Sequence, residues 1–300
     1  AAAAAGRGQL LQPMAAAGPF AARHTPAWGR EFVRAYLRTY WLLARAGFRR
    51  QATYRMALAA GIFTNSVFGV VRASILVGAV TGAGAAVAGY DALAVSSYAW
   101  WGQVLLGSVS MWGWSEVADR VRTGDIAADF LRPVPPYLTY LAVDLGRAAL
   151  ALLARGAPML LIGALYSGIT FATGAVEWML GLTAVALAVA VGFLGNYLVN
   201  CAAFWLVEIR GLLMAYSVVA TLLAGLYVPV HWFPEWLRTV AAATPFPSLI
   251  QTPIDILSGY AAGPAAVRAV AVQVGWVLAL GVAGALATAA GRRRLEVQGG

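Results

Sequence analysis

The sequence predicts an all-α integral membrane protein with six transmembrane helices, and composition and apolar runs support this fold class. Hydrophobic side chains make up 61% of the 300 residues and charged side chains only 11%, and a soluble domain of this length could not keep that much apolar surface out of water. Six apolar runs reach the roughly 20 residues that a helix needs to cross the hydrocarbon layer. These runs lack the alternating pattern of barrel strands.

The N-terminal part divides into two segments. Residues 1–27 form an Ala-rich extension that matches no structural pattern, and a cleavable signal peptide is disfavoured because an Arg-rich stretch precedes the first long apolar run. From 28 to 50, apolar residues recur every three or four positions opposite a side rich in Arg. This pattern predicts an amphipathic helix in the cytoplasmic interface, the alternative being a soluble helix against a protein partner.

A single transmembrane domain follows, and the distribution of Arg gives its orientation. The predicted spans are 56–80, 92–114, 145–170, 178–207, 211–230 and 264–290. Segments on the side of the two termini hold most of the Arg residues, whereas the opposite side has only Arg238 and Arg268. By the positive-inside rule, both termini are predicted to be cytoplasmic.

The cytoplasmic segment between spans two and three, residues 115–136, is here called the charged hairpin. Ser115 is predicted to cap a helix that runs to Thr123, Gly124 to stop it in the left-handed conformation, and Asp125 to cap a second turn that ends before Pro133. A compact hairpin on the ends of two membrane helices suits the docking of a partner. A solvated loop is the alternative.

The connection between spans five and six, residues 229–263, is here called the outer segment. Pro234 is predicted to start one short apolar helix, residues 244–247 to break it, and Gly259 to end a second. Such helices must re-enter the membrane or pack on the bundle, where they either plug its outer end or form a gate. The gate candidates are Tyr227, Trp232 and Phe233.

Polar residues inside the predicted spans are few. Asn65 and Arg72 share one helical face, as do Asn196 and Asn200. Such groups either bond neighbouring helices or line a substrate path, and Arg72 either snorkels to the outer interface or meets an anionic part of an amphiphilic substrate. The candidates for the path or for a subunit interface are Asn65, Phe68, Arg72, Gln103, Asn196 and Asn200.

Composition also argues against several functions. All 21 basic residues are Arg, so the chain has no P-loop, whose motif requires a Lys at the phosphates. Cys201, His24 and His231 are too few for a disulfide framework or a zinc site of thiolate and imidazole ligands. The net charge of +9 does not indicate nucleic acid, because most Arg residues flank apolar runs where lipid headgroups explain them.

Taken together, these features resemble the permease subunits of type-2 ABC transporters, the small six-span kind encoded beside a separate ATPase. The resemblance covers about residues 28–300. It rests on the interfacial helix, the outer hairpin from Val228 to Pro247, the terminal string RRRLEVQGG and, most specifically, the string RTGDIAADFLRP at 122–133.

The resemblance implies a function, a location and partners. The charged hairpin would be the coupling helix, which docks on the nucleotide-binding subunit through Glu116, Asp119, Arg120, Arg122 and Asp125. Two permeases, identical or homologous, would assemble with two ATPase subunits in the lipid of a bacterial inner membrane. The ATPase would bind ATP and Mg²⁺, so this chain needs no cofactor. Most such proteins are exporters, here of an amphiphilic or lipid-like compound or drug.

Two other functions stay open at this point. A Mg²⁺-dependent prenyl or phosphatidyl transferase could use Asp125 and Asp129, which form a D-x-x-x-D pattern. Such enzymes need a second acidic cluster, whereas Asp144 and Glu208 stand alone in the sequence. A membrane channel or scaffold is the third possibility, weakened by the lack of a carbonyl-rich or acidic pore segment.

Overall fold

The computed structural model describes residues 27–112 and 114–295, and this part of the chain is helical. The predicted Ala-rich extension lies, apart from its last residue, outside the described residues. The helices are α1 (Ala27–Ala52), α2 (Arg55–Ala83), α3 (Ala92–Leu106), α4 (Glu116–Thr123), α5 (Ile126–Phe130), α6 (Pro136–Tyr166), α7 (Ala175–Cys201), α8 (Arg210–Leu223), α9 (Glu235–Ala242), α10 (Gln251–Leu257) and α11 (Gly263–Arg292).

The helices α2, α6, α7 and α11 correspond to predicted spans one, three, four and six. Among the described residues, these four helices are the ones long and apolar enough to cross a membrane. The span that contains α7 extends to Phe204. The other two predicted spans are shorter helices of 15 and 14 residues, α3 and α8.

Specific backbone features end these two helices early. Beyond α3, Arg147 donates to the carbonyl oxygens of Gly107 (3.0 Å) and Ser108 (2.8 Å), which satisfies backbone acceptors that a helix would otherwise use. The predicted end at Trp114 is therefore wrong. Beyond α8, Gly225 adopts φ +82°, a left-handed conformation that suits glycine and stops a helix before the predicted end at Val230.

The centre of the bundle is α3, which is buried along most of its length. The ring of Trp100 lies between α2 and α6, where Gly69 and Gly163 leave room for it, since a Cβ on either glycine would collide with the ring. The helices α7 and α11 pack side by side, and α10 packs against α7. The helix α4 of the charged hairpin packs against α7.

The N-terminal helix α1 has two parts. From residues 33 to 39 its side chains are largely exposed, among them apolar Val33 and Leu37 and charged Arg34 and Arg38. From Tyr40 on, α1 lies against α6 at a close crossing, because a Cβ on Gly146 would collide with the carbonyl of Ala44.

Candidate functional site

The charged hairpin folds as two short helices, α4 and α5, separated by Gly124. This glycine has φ +82° and donates its N–H to the carbonyl of Val121 at 3.3 Å, so the predicted left-handed stop is present. The predicted side-chain caps are wrong. The Ser115 hydroxyl instead donates to Asp119 Oδ2 (2.9 Å), and the Asp125 carboxylate accepts from Thr123 Oγ1 (2.8 Å).

A buried carboxylate anchors the charged hairpin to α6. Asp129 Oδ2 accepts from Arg120 Nε at 2.8 Å and from the Tyr140 hydroxyl at 2.7 Å. Its Oδ1 lies 3.6 Å from Arg132 Nη1. Arg120 also donates to the carbonyl of Asp125 at 3.1 Å. Because one carboxylate thus joins α4, α5 and α6, the two helices of the hairpin are held as one rigid piece. The sequence had indicated Asp129 only as part of the D-x-x-x-D pattern of a transferase, and not as an anchor of the hairpin.

A second set of bonds fastens the charged hairpin to α7. Asn200 Oδ1 accepts from the backbone N–H of Ala118 at 3.1 Å, and its Nδ2 donates to the carbonyls of Trp114 and Asn196, both at 2.9 Å. Asn196 in turn donates to the carbonyl of Ser110. Of the two asparagines predicted as candidates for a substrate path or interface, Asn200 therefore bonds backbone of the hairpin and Asn196 bonds backbone of the segment before it.

The segment between α3 and the charged hairpin is bonded to a partly buried ion pair within α6, formed by Asp144 and Arg147. Arg147 Nε donates to Asp144 Oδ1 at 2.6 Å, and the Arg147 Nη2 also donates to the Ser110 hydroxyl at 2.7 Å. With the carbonyl contacts of Arg147 described above, this side chain bridges the end of α3 and the middle of α6. A displacement of the hairpin would therefore pull on three helices, α3, α6 and α7.

The five predicted coupling residues of the charged hairpin differ in how exposed they are. Asp119, Arg122 and Asp125 are exposed, and the Asp119 and Arg122 side chains form an ion pair of 3.8 Å. Arg120 is engaged inside the hairpin, and Glu116 is half-buried. Leu131, which sequence reasoning missed, is 87% exposed on the same hairpin.

A cavity of about 490 Å³ opens between α2, the end of α3 and the turn after α8. It is here called the Arg72 cavity. Of the predicted path and gate residues, the structure brings together Phe68, Arg72, Gln103 and Tyr227 in its wall. The rest of the wall is aliphatic apart from Trp112. Asn196 and Asn200 do not line this cavity.

The Arg72 side chain lines this cavity, and its guanidinium is buried in the protein. Its three nitrogens are buried without a hydrogen-bond partner, and its Cζ lies 5.6 Å from the centre of the Tyr98 ring. Gly102 makes room for it, because a Cβ there would collide with Arg72 Nη1. Gln103 Oε1 is likewise buried and unpaired.

A buried hydrogen-bond network centred on Gln251 joins the outer segment to α3 and to the loop that precedes α3. Gln251 Oε1 accepts from the Tyr98 hydroxyl (2.9 Å) and the Val230 N–H (2.7 Å), and its Nε2 donates to the Tyr90 hydroxyl (3.0 Å) and Asp255 (2.6 Å). Burial, the Asp255 carboxylate and Tyr98 raise the pKa of Tyr90, so its phenol keeps its proton and donates to Asp255 at 3.0 Å.

The other gate candidates belong to the packing of the outer segment. The Trp232 indole donates to the carbonyl of Val87 at 3.1 Å, and Phe233 is buried in a small cluster with Leu223 and Ala241. Tyr227 alone of the three is strongly exposed, at 63%. The two short helices predicted in this segment are present as α9 and α10.

Comparison with known proteins gives one match. Residues 73–299 fit a family model described as "ABC-2 family transporter protein". No curated protein and no solved structure matches the chain.

Proposed function

Because the chain belongs to the ABC-2 family of transporter proteins, we propose that it is the permease subunit of an ATP-driven exporter. A separate nucleotide-binding subunit would supply the energy, and the cargo would be an amphiphilic or lipid-like compound or drug. The observation that carries this proposal is the charged hairpin. It is held by hydrogen bonds to α6 and α7 and has several exposed charged side chains and an exposed Leu131.

The rigidity of the charged hairpin supports a role in coupling. A flexible loop would absorb a push from a partner, whereas the contacts of Asp129 and Asn200 would pass it directly to α6 and α7. The exposed face would bind the ATPase through Asp119, Arg122 and Asp125, with Leu131 as an apolar anchor. Glu116 and Arg120 would then act by holding this face in shape.

The remaining architecture of the complex is part of the same proposal. The shorter helices α3 and α8, with their flanking segments, would complete six spans with both termini in the cytoplasm of a bacterial inner membrane. The face of α2 that contains Phe68, which is 62% exposed, would face a second permease, identical or homologous, whereas Asn65 is buried inside the bundle. Two ATPase subunits would bind ATP and Mg²⁺.

The transferase alternative has less support. Asp129 is buried and already accepts from Arg120 and Tyr140, whereas Asp125 is exposed and accepts from Thr123. The two carboxylates of the D-x-x-x-D pattern therefore have separate partners. Among the described residues, no group of three or more His, Cys, Asp or Glu side chains could hold a metal ion.

Reversing two exposed charges tests the docking face. The double variant R122E/D125R is expected to keep its fold, since both side chains are exposed and Arg122 makes only a weak exposed pair with Asp119. Each lost rim contact is worth about 1 kcal/mol, so ATPase affinity should fall roughly tenfold or more once repulsion is added. Co-purification of the cognate ATPase and ATP hydrolysis in proteoliposomes measure this effect.

A matched control lies on the outer segment. Glu235 and Arg238 have the same spacing on α9, are both exposed, and occupy the outer end of the proposed topology. The variant E235R/R238E is expected to bind the ATPase as the unaltered chain does. Equal ATPase binding by both double variants would argue against docking on the charged hairpin.

A further inference from the structure

Unpaired polar atoms concentrate on one side of the bundle. Among the described residues, eight buried side-chain nitrogen or oxygen atoms have no hydrogen-bond partner, and all but Gln273 Oε1 lie along α2, α3, the turn after α3, and α6. These belong to Asn65, Arg72, Gln103, Ser108 and Arg155. Buried polar groups are normally satisfied, so such a concentration indicates a binding partner that completes this surface.

Of these groups, Arg72 costs the most free energy to bury without a partner, because its guanidinium stays charged in a protein. The face of the Tyr98 ring offsets only part of the cost of burying it. The Tyr98 hydroxyl does not accept from it, and the single proton of that hydroxyl is directed at the Gly225 carbonyl (2.7 Å) and Gln251 Oε1 (2.9 Å). The wall of the Arg72 cavity contains no Asp or Glu. The guanidinium therefore lacks an anion, and the cavity is the space beside it.

Arg155 of α6 is a second arginine with a buried, unpaired guanidinium nitrogen. It lies in a π-helical turn of α6, Leu152–Gly156, and its Nε is buried without a partner. Gly61 of α2 and Gly107 after α3 leave room for its side chain. Gly61 and Asn65 are one turn apart on α2, so two guanidinium groups and an amide lie along one face of the α2 packing surface. Local π turns are frequent at functional sites.

The rest of the cavity wall suits a hydrocarbon or aromatic tail. Phe68, Ile75, Trp112 and Val228 surround the space, and the volume of about 490 Å³ lies within the range of small-molecule pockets. A small inorganic anion could pair with the guanidinium but would make no use of these apolar walls. A neutral lipid tail would leave the guanidinium unpaired.

From this combination we propose that the Arg72 cavity binds an amphiphile with an anionic head, a carboxylate or a phosphate on an apolar tail. Arg72 donates two parallel hydrogen bonds to the head. The inference rests on the proposed function in that the bound amphiphile is taken to be the class of the exported compound. The binding itself requires neither ATP nor the ATPase.

Fluorescence titration of the purified full-length chain in a non-ionic maltoside detergent tests this directly, without nucleotide or partner. The probe is 11-(dansylamino)undecanoic acid, with its uncharged amide as the matched compound. The unaltered chain should bind the acid at least tenfold more tightly than the amide, the factor expected of a charged hydrogen bond. Dodecyl phosphate should displace the probe, and inorganic phosphate at the same concentration should not.

Variants assign the effect to the cavity. R72Q should bind the acid at least tenfold more weakly and the amide unchanged, whereas R72K should fall between, because an ammonium keeps the charge but lacks the fork. R268Q, an exposed Arg of α11, is the control and should bind both probes normally. Size-exclusion chromatography reports folding, and the comparison of acid with amide on the unaltered chain decides the proposal if R72Q does not fold.

Equal affinity of the unaltered chain for acid and amide would overturn the proposal, as would undiminished binding of the acid by folded R72Q. Displacement by inorganic phosphate alone would also overturn it, since the apolar wall would then play no part. Because ATPase docking is measured separately on the charged hairpin, failure here leaves that result intact, and failure of docking leaves this titration intact.

Discussion

Replacing Asp129 with Ala is expected to detach the charged hairpin from α6 and to abolish ATPase stimulation while the chain still inserts into the membrane. The carboxylate is buried and accepts from both Arg120 and Tyr140, so its removal leaves a half-buried guanidinium and a phenol without their acceptor. Breaking such a pair from one side costs about 2 kcal/mol or more, even after allowance for the partial exposure of Arg120.

Thermal unfolding of the purified chain measures this cost, and D119A is the matched control on the same hairpin. Asp119 is exposed and forms an ion pair of 3.8 Å with exposed Arg122, so its loss should change the free energy of unfolding by roughly 0.5 kcal/mol or less. The account of the hairpin as a rigid piece fails if D129A and D119A unfold at the same temperature.

The second large effect is expected at the outer end, from the replacement of Gln251 with Leu. Leu has a similar volume, but it cannot replace the four hydrogen bonds that Gln251 makes with Tyr98, Val230, Tyr90 and Asp255. The Val230 N–H is left without its side-chain acceptor, which costs about 1–3 kcal/mol, and Asp255 Oδ1 and the Tyr98 hydroxyl each lose one bond of about 1 kcal/mol but keep another. The outer segment should therefore loosen and the free energy of unfolding should fall by about 3 kcal/mol.

Hydrogen exchange of residues 229–263 and the melting temperature report on this loosening. The comparison variant is R238L, which adds the same side chain at an exposed position of the outer segment and should leave both measurements nearly unchanged. Protection of the outer segment in Q251L equal to that in R238L would show that Gln251 is not the centre of its stability.

The sequence predicted those parts of the fold that depend on local pattern. The long apolar runs gave the four long helices, and Gly124 marked the end of α4 because glycine alone adopts φ +82° without strain. The early end of α3 could not be predicted, because it depends on Arg147 reaching the carbonyl of Gly107 from another helix. Periodicity contains no information about such a contact.

The candidate site, like the fold, was predicted from the sequence only in part. Helical spacing correctly placed Asn65 and Arg72 on one face, but only the structure shows that Tyr98 and Gly102 surround the guanidinium. The role of Asp129 was missed because its partner Tyr140 lies on another helix. The exposure of Leu131 was missed because sequence assigns hydrophobic residues to the interior by default.

The central claim is that the chain is a permease powered by a separate ATPase through the charged hairpin, and ATP hydrolysis in proteoliposomes tests it most directly. The account predicts no hydrolysis by the contaminant-free chain alone, and hydrolysis above that of the free ATPase once the cognate ATPase is added. That stimulation should be lost in R122E/D125R and kept in E235R/R238E. Hydrolysis by the isolated chain, or undiminished stimulation in R122E/D125R, would contradict the claim.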